Sequence, residues 1–446
     1  MGRRSHSRTL GLWANGERVG RWTLPARGPM ELHYDAGWVQ SPLGRPLSLS
    51  LPFNLRNAPL KGAAVAHYFD NLLPDSGAIR RRIAARFRTG SIDAFDLLRA
   101  IGRDCVGAIQ VLNYEEVPAG PDRIDAVPLD EVAIERHLQN VVGTDRFGAA
   151  EEPDDDFRIS LAGAQEKDAY LWWNGAWHKP RGATPTTHIF KLPMGLVGGR
   201  RADFSTSVDN EWLCLRLLRA YGLPTAQAQI MVFGTQRVLV VERFDRRWTD
   251  DRRLLRLPQE DFCQATGTSP LVKYESEGGP GLRTLFTLLQ QSVTAQEDMR
   301  TLMAAQILFW LLRAPDGHAK NFSIRLLAGG GFQLTPMYDV MSAYPVIGCG
   351  SNQWSPHEVR LAMALLGRNR HYQTDTIVRR YFNSTARQVG LVADAEDLIE
   401  VIVAATPDVI AGVQRELPSG FSQKVLDSVL GGLERAAAQL GLMPPD

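Results

Sequence analysis

The sequence predicts an α+β chain of two lobes, strand-rich first and helical after, with a smaller mixed subdomain in front. Three observations predict it. Strand and hairpin signals lead the first 112 residues, with two helical stretches among them. From Phe157 to about Arg247 short strands dominate and one long helix interrupts them. From Gln259 onward most of the chain repeats its apolar residues at helical spacing.

In chain order, Thr9–Trp13 and Arg18–Trp22 flank Asn15-Gly16, two residues that tolerate positive φ, so they predict a tight hairpin. Leu47-Ser48-Leu49-Ser50-Leu51 alternates with period two, the pattern of a half-buried strand. Ala63–Leu73 and Ile79–Phe87 predict helices. Residues 113–156 carry Pro118, Pro121 and Pro128, then Glu151, Glu152, Asp154, Asp155 and Asp156, and predict a solvated linker holding a short helix at Leu129–Asn140. Strands follow at Phe157–Ser160, Asp168–Trp173, Thr187–Leu192, Ile230–Phe233 and Val238–Phe244. The helix Val208–Tyr221 stops at Gly222 and Pro224. Helices are then expected at Leu282–Gln290, Met299–Leu312 and Thr374–Gln388. In the last one Phe421, Val425, Val429, Leu433 and Ala437 recur every four residues as a core stripe.

Composition narrows the function. With 446 residues, 44% hydrophobic and 22% charged, the chain is globular and long enough for roughly two to four domains. Fifty basic against 49 acidic residues leave a net charge of +1, which argues against a protein whose main task is coating nucleic acid or membrane. Cys105, Cys214, Cys263 and Cys349 lie far apart, so neither a disulfide framework nor a zinc site is expected. The most apolar stretch, Leu302–Leu312, is too short to span a bilayer, and the start of the chain lacks a secretory apolar region. A cytoplasmic protein without membrane partners is the expectation.

Common signatures fail: there is no GxxxxGK[ST], no GxGxxG and no GxSxG. Asp316-Gly317-His318-Ala319-Lys320-Asn321 does carry chemistry. A phosphotransferase needs a carboxylate to orient and deprotonate the acceptor hydroxyl, and an amide oxygen to help hold Mg²⁺. The kinase catalytic loop sets that Asp and Asn five positions apart, as here. Two short strands, Phe322–Leu327 and Phe332–Met337, joined by three glycines, would return Asp339 beside Asp316. The plain alternative is a polar turn with a capping Asp. Only seven of the 50 basic residues are lysines, and Lys167, Lys191 and Lys320 all fall in candidate motifs. Lys191 ends a strand and Glu211, early in the next helix, is its natural partner. Ser160 to Lys167 joins two strands with small side chains, which lets backbone N–H groups approach phosphate oxygens. Val238–Val241 runs into Glu242-Arg243-Phe244, where a strand edge and a ring could receive adenine. His67, His188 and His371 have no partners at ligand spacing and are expected to be structural.

These segments resemble the HipA-type serine/threonine kinase toxins. The resemblance rests on residues 156–167, 186–193, 241–248, 273–281 and 316–323, and, before the linker, on Phe69–Asp75 and Ile101–Asp104. It covers nearly the whole chain and implies a bilobal protein-kinase-like fold with an added N-terminal α/β subdomain and a helical C-lobe. By resemblance Asp316 is the catalytic base, and Asn321 and Asp339 hold Mg²⁺. ATP contacts fall to Ala162, Gly163, Ala164, Gln165, Glu166 and Lys167 of the phosphate loop, to Lys191, and to Glu242, Arg243 and Phe244 on the adenine side. His318, Ala319, Lys320 and Tyr338 complete that set. Ser160 matches the family's autophosphorylated serine. The implied partners are a small dimeric helix-turn-helix antitoxin and, through the complex, operator DNA, with Arg379, Arg380 and Arg387 as a basic face. The implied protein substrate is a translation component, glutamyl-tRNA synthetase being the family's best-known target. Pro315 and residues 348–358 depart from the family pattern.

The expected domains are 1–112, the linker 113–156, an N-lobe over 157–258 and a C-lobe over 259–446. Two other functions stay open at this level: a catalytically idle co-repressor, and a small-molecule kinase on the same fold.

Overall fold

A computed structural model describes residues 6–142, 165–197, 202–350, 352–391 and 394–445. The strand expected at Phe157–Ser160, Ser160 itself and Ala162, Gly163 and Ala164 lie outside the described residues.

The first hairpin forms where the turn chemistry predicts it. Arg8–Ala14 and Glu17–Leu24 pair antiparallel around Asn15 (φ 49°) and Gly16 (φ 86°). Glu31–Tyr34, Leu60–Lys61 and Ile109–Asn113 extend them into a five-stranded antiparallel sheet. Helices Ala63–Asp70, Gly77–Arg86 and Ala94–Ile101 accompany it. Trp22 stacks on Phe69 at 3.8 Å between ring centroids and, with Phe95, anchors a core of its own.

One expectation fails here. Leu47–Leu51 is a turn rather than a strand, and its alternation has another cause. The Ser48 and Ser50 hydroxyls both donate to the Gln264 carbonyl (3.0 and 2.7 Å), and the Leu49 N–H donates to Glu260 (2.9 Å). The serines point inward because backbone of the helical lobe satisfies them.

The second sheet has six antiparallel strands in the order Ala228–Phe233, Gln236–Glu242, His188–Lys191, Lys167–Trp173, Ala176–Pro180, Ala126–Pro128. The last of these, and the helix Glu131–Val142, come from the stretch expected to be linker. Ile134 and Leu138 of that helix are buried in one cluster with Tyr170, Phe190 and Val240. Residues 126–142 are thus part of the N-lobe. The apolar helix face outweighs the proline and acid signals around it.

Helix Ser207–Ala220 joins this lobe to the largest core, which is built on Leu282–Leu289, Ala295–Leu311, Arg379–Gln388, Glu396–Gln414 and Gln423–Leu442. The expected glycine-linked hairpin is present as Ser323–Leu326 and Phe332–Leu334, with Gln259–Asp261 as a third strand. A further hairpin, Arg360–Leu366 with Arg370–Gln373, has no counterpart among the sequence expectations and adds strand to the helical lobe. Among the described residues no helix is long and apolar enough to cross a membrane.

Between the two sheets lies a buried ionic cluster. Asp104 accepts from Arg246 (2.9 Å), Arg256 (3.0 Å) and Arg243 (3.2 Å), and from the Thr186 hydroxyl (2.7 Å). Asp245 accepts from Arg243 (2.8 Å) and from the Gly107 N–H (2.8 Å). Every charge in it finds a partner, the condition under which such burial is tolerated. It fixes the N-terminal subdomain to the segment that follows Glu242.

Candidate functional site

A cleft opens where the two lobes and the N-terminal subdomain meet. Lys167, Lys191, Glu242, Phe244, Asp316 and Asp339 are among the side chains that line it. Residues far apart in sequence converge here because each stands at the end of an element that faces the gap.

Lys191 closes the strand His188–Lys191. Its ammonium donates to Glu211 (2.6 Å), on the first half of helix Ser207–Ala220, and to Asp339 (3.0 Å). Burial opposes the charge on this lysine, but Asp339 and Glu211 hold its pKa above the ordinary value. Asp339 is half-buried, and that desolvation alone would raise its pKa. The ammoniums of Lys191 and Lys167 outweigh that and hold it down at about 2. Glu211 sits deeper, and there desolvation wins and pushes its pKa up. Lys167, at the start of its strand, is driven down to about 8, first by burial and then by Lys191. Asp339 adopts φ 59°, in the left-handed region that Asp and Asn enter more readily than other side chains.

The segment Asp316–Asn321 follows helix Ala295–Leu311 through Arg313, itself at φ 47°. A Cβ at Gly317 would meet the Phe309 ring at 2.4 Å, so only glycine lets the loop lie this close to the helix. The Asn321 amide donates to the Asp316 carbonyl (2.6 Å), which fixes the loop. His318 is buried, with Nε2 3.5 Å from the Asp316 carboxylate, and burial lowers its pKa. Tyr338 donates to the Lys320 carbonyl (2.9 Å) and bonds Ser323 (2.6 Å), and its ring is 5.8 Å from that of Phe244. Glu242 is exposed at the end of its strand and Phe244 is half-buried. Gln165 donates to the Leu192 carbonyl (2.5 Å), and Glu166 pairs with Arg82 of the N-terminal subdomain.

Three expected roles change. The Lys320 ammonium donates to Asn71 (2.9 and 3.0 Å), with Asp75 at 3.5 Å and Asp261 at 3.7 Å, so it braces the N-terminal subdomain and is not free to meet phosphate. The Arg243 guanidinium is committed to the buried ionic cluster, and its backbone N–H donates to the Thr187 carbonyl (2.9 Å), so neither is free to meet adenine. Arg379 is no part of a basic face: it is buried and donates to Glu396 (3.1 Å). Neighbours in a helix diverge by about 100°, so Arg380 stays exposed while Arg379 turns in. Arg387 is exposed as well.

Sequence reasoning assigned no role to three residues lining this cleft, or to Tyr274 beside it. Asn71 and Asp75 come from the N-terminal subdomain and form part of its wall with Lys273. Tyr274 donates to Asp316 at 2.5 Å. The available signal was their place in the segments Phe69–Asp75 and 273–281, which the family resemblance singles out without giving these residues a role.

The oxygen donors suit Mg²⁺. It is usually held by one or two carboxylates plus substrate phosphates, not by a full protein cage. Asp339 and the Asn321 amide oxygen would supply that partial set, and among the described residues no cluster of three or more His, Cys, Asp or Glu offers an alternative.

Residues 10–112 match the family described as HipA N-terminal domain, and residues 159–410 match the HipA-like C-terminal domain. Y4mE of Sinorhizobium fredii, named as a candidate kinase, is 36% identical over 345 residues, covering 76% of this chain and 78% of its own. The serine/threonine-protein kinase toxin HipA of Shewanella oneidensis is 30% identical over 351 residues, covering 75% and 73%. A solved structure of the Shewanella oneidensis MR-1 toxin–antitoxin system HipA, HipB and operator DNA aligns over 97% of both chains, with a TM-score of 0.78 and 22% identity. That likeness shows the fold, the bilobal kinase-like α+β arrangement. With matched domains over most of its length, the chain belongs to the HipA family.

Proposed function

We propose that the chain is an ATP-dependent serine/threonine protein kinase acting as the toxin of a toxin–antitoxin pair. The observation that carries this is Lys191 bridging Glu211 and Asp339 at the mouth of the cleft that also holds Asp316 and Asn321. An idle co-repressor would have no need to keep a buried lysine between two carboxylates, because an unused buried ionic site costs stability.

ATP binds with its adenine against Phe244 and the backbone after Glu242, and its phosphates toward Lys191 and the N–H groups before Lys167. Asn321 and Asp339 would hold Mg²⁺, which when bound supplies charge neutralisation of the phosphates. Asp316 accepts the proton of an acceptor serine. The serine Oγ forms a bond to the γ-phosphorus, the bond from that phosphorus to the β–γ bridging oxygen breaks, and ADP leaves with the electron pair.

The finer reading follows the family resemblance. The acceptor is a translation component such as glutamyl-tRNA synthetase, and a small dimeric helix-turn-helix antitoxin neutralises the kinase. The fold shared with Shewanella HipA, which was solved together with HipB and operator DNA, supports partners of this kind. Arg380 and Arg387 are the remaining DNA-side candidates. Ser160 is proposed as an autophosphorylation site: about −1.5 to −2 charges there would compete with the ATP tail for Lys191 and stop the enzyme.

Asp316→Asn and Asp339→Asn test the reading. Asn also tolerates the left-handed backbone at position 339, so the second variant removes charge without new strain. Each should lower phosphate transfer from γ-labelled ATP by roughly 100-fold or more. Mass spectrometry should find phosphate on Ser160 in the wild type and neither variant. Near-wild-type transfer in either variant sinks the kinase assignment.

A further inference from the structure

The segment after Pro270–Val272 reaches across the cleft and touches the catalytic carboxylate. The Tyr274 hydroxyl donates to Asp316 Oδ1 at 2.5 Å, and His318 Nε2 lies 3.5 Å from the same oxygen. The Tyr274 ring stands edge-on to the His318 ring, with centroids 4.9 Å apart and planes at 88°. Neighbouring Lys273 is tied to Asp75 of the N-terminal subdomain at 2.9 Å, so the segment is held from outside its own lobe. Asp316 Oδ2 has no protein hydrogen bond among the described residues, and the Asp316 side chain is 42% exposed.

This division of the carboxylate is chemically specific. A base must aim a lone pair at the acceptor hydroxyl, yet an aspartate turns freely about its last torsion unless one oxygen is held. Burial, and then Asp316 itself, push the Tyr274 phenol above its ordinary pKa, so it remains a donor across the working range.

We infer that Tyr274 is a positioning residue for phosphoryl transfer: its hydroxyl fixes Asp316 through Oδ1 so that Oδ2 meets the acceptor hydroxyl. The inference rests on the kinase reading above. In the transfer step the acceptor O–H bond breaks, its proton goes to Oδ2, and the Tyr274 proton stays on the phenol. Tyr274 touches neither ATP nor acceptor in this scheme and acts through Asp316 alone.

Tyr274→Phe keeps the ring against His318 and removes only the donor. The test is transfer of labelled γ-phosphate from ATP to dephosphorylated casein and to the chain itself, with ATP affinity measured separately by calorimetry. The full-length wild type, Asp316→Asn and Tyr274→Phe are compared. The expected result is a kcat about 10- to 100-fold lower in Tyr274→Phe, with the ATP KM and Kd unchanged. An unchanged kcat overturns the inference. So does a raised one, which would mean that the hydroxyl blocks the acceptor's place. A joint fall in kcat and ATP affinity also overturns it, because that is what lost packing produces. If wild-type transfer is absent or persists in Asp316→Asn, the kinase reading itself fails, and this assignment falls with it.

Discussion

At the scale of single residues, Lys191 does two jobs that substitution can separate. It is buried between Glu211 and Asp339, so removing its charge leaves the buried Glu211 carboxylate without a cation and beside the half-buried Asp339. Lys191→Met should therefore weaken both ATP binding and the fold, the latter by about 3 kcal/mol. Adding Glu211→Gln removes the orphaned charge, so the double variant should regain most of the lost stability while ATP binding stays weak. Urea midpoints and ATP calorimetry on the two variants check this. Stability that stays low in the double variant would mean that Lys191 holds the lobe by packing, not charge.

Between elements, the ionic cluster does what neither hydrophobic core does alone. The strand sheet of the N-terminal subdomain and the six-stranded sheet have separate apolar clusters, and Asp104 ties them together. Burial opposes ionisation of Asp104, but Arg246, Arg243 and Arg256 overcome it and hold its pKa far below the usual carboxylate range. Asp104→Asn leaves Arg243 and Arg246 sharing Asp245 and Arg256 with no carboxylate, and should cost about 3–5 kcal/mol. A lower thermal midpoint is the expected readout. Because Arg243 follows Glu242 directly, ATP affinity should fall with it; an unchanged midpoint would show that the cluster is not what joins the subdomains.

Over the whole molecule, pH acts at the junction of the N-terminal subdomain with the helical lobe. Glu260 is fully buried there, and desolvation pushes its pKa up to about 8, with Asp261 adding to the effect. One of its oxygens accepts from Leu49 while the other has no partner. Between the unfolded value of about 4.3 and 8, the folded chain holds a proton that the unfolded chain has released. Stability therefore falls as pH rises through this window and is lowest above it. Glu260→Gln should stabilise the chain at pH 9 by on the order of a few kcal/mol, seen as a higher thermal midpoint, and change it little at pH 4.5. Thermal scans of both proteins at those two pH values measure it, and equal shifts at both would refute the titration.

What could be read from the sequence alone was what local chemistry encodes. Asn15-Gly16 placed the first hairpin, the helical stripe placed Gln423–Leu442, and the five-residue spacing of Asp316 and Asn321 marked the loop. Lysine scarcity made Lys191 stand out, and its partner Glu211 followed from helix position. The fates of Lys320, Arg243 and Arg379 were not legible, because a cation reads the same whether it faces phosphate or a carboxylate or amide that the fold brings up from elsewhere in the chain. Asn71 and Asp104 decide the first two and Glu396 the third. The Leu47–Leu51 alternation misled for the same reason: the acceptor of its serines is the Gln264 carbonyl. Sequence by itself determined most of the elements, through local propensity, and the candidate catalytic carboxylates, through spacing, while the family was legible in the resemblance of whole segments. Only the tertiary structure decided which charges are free to act and which are spent inside the fold, because pairing in a low-dielectric interior depends on distance in space and not along the chain.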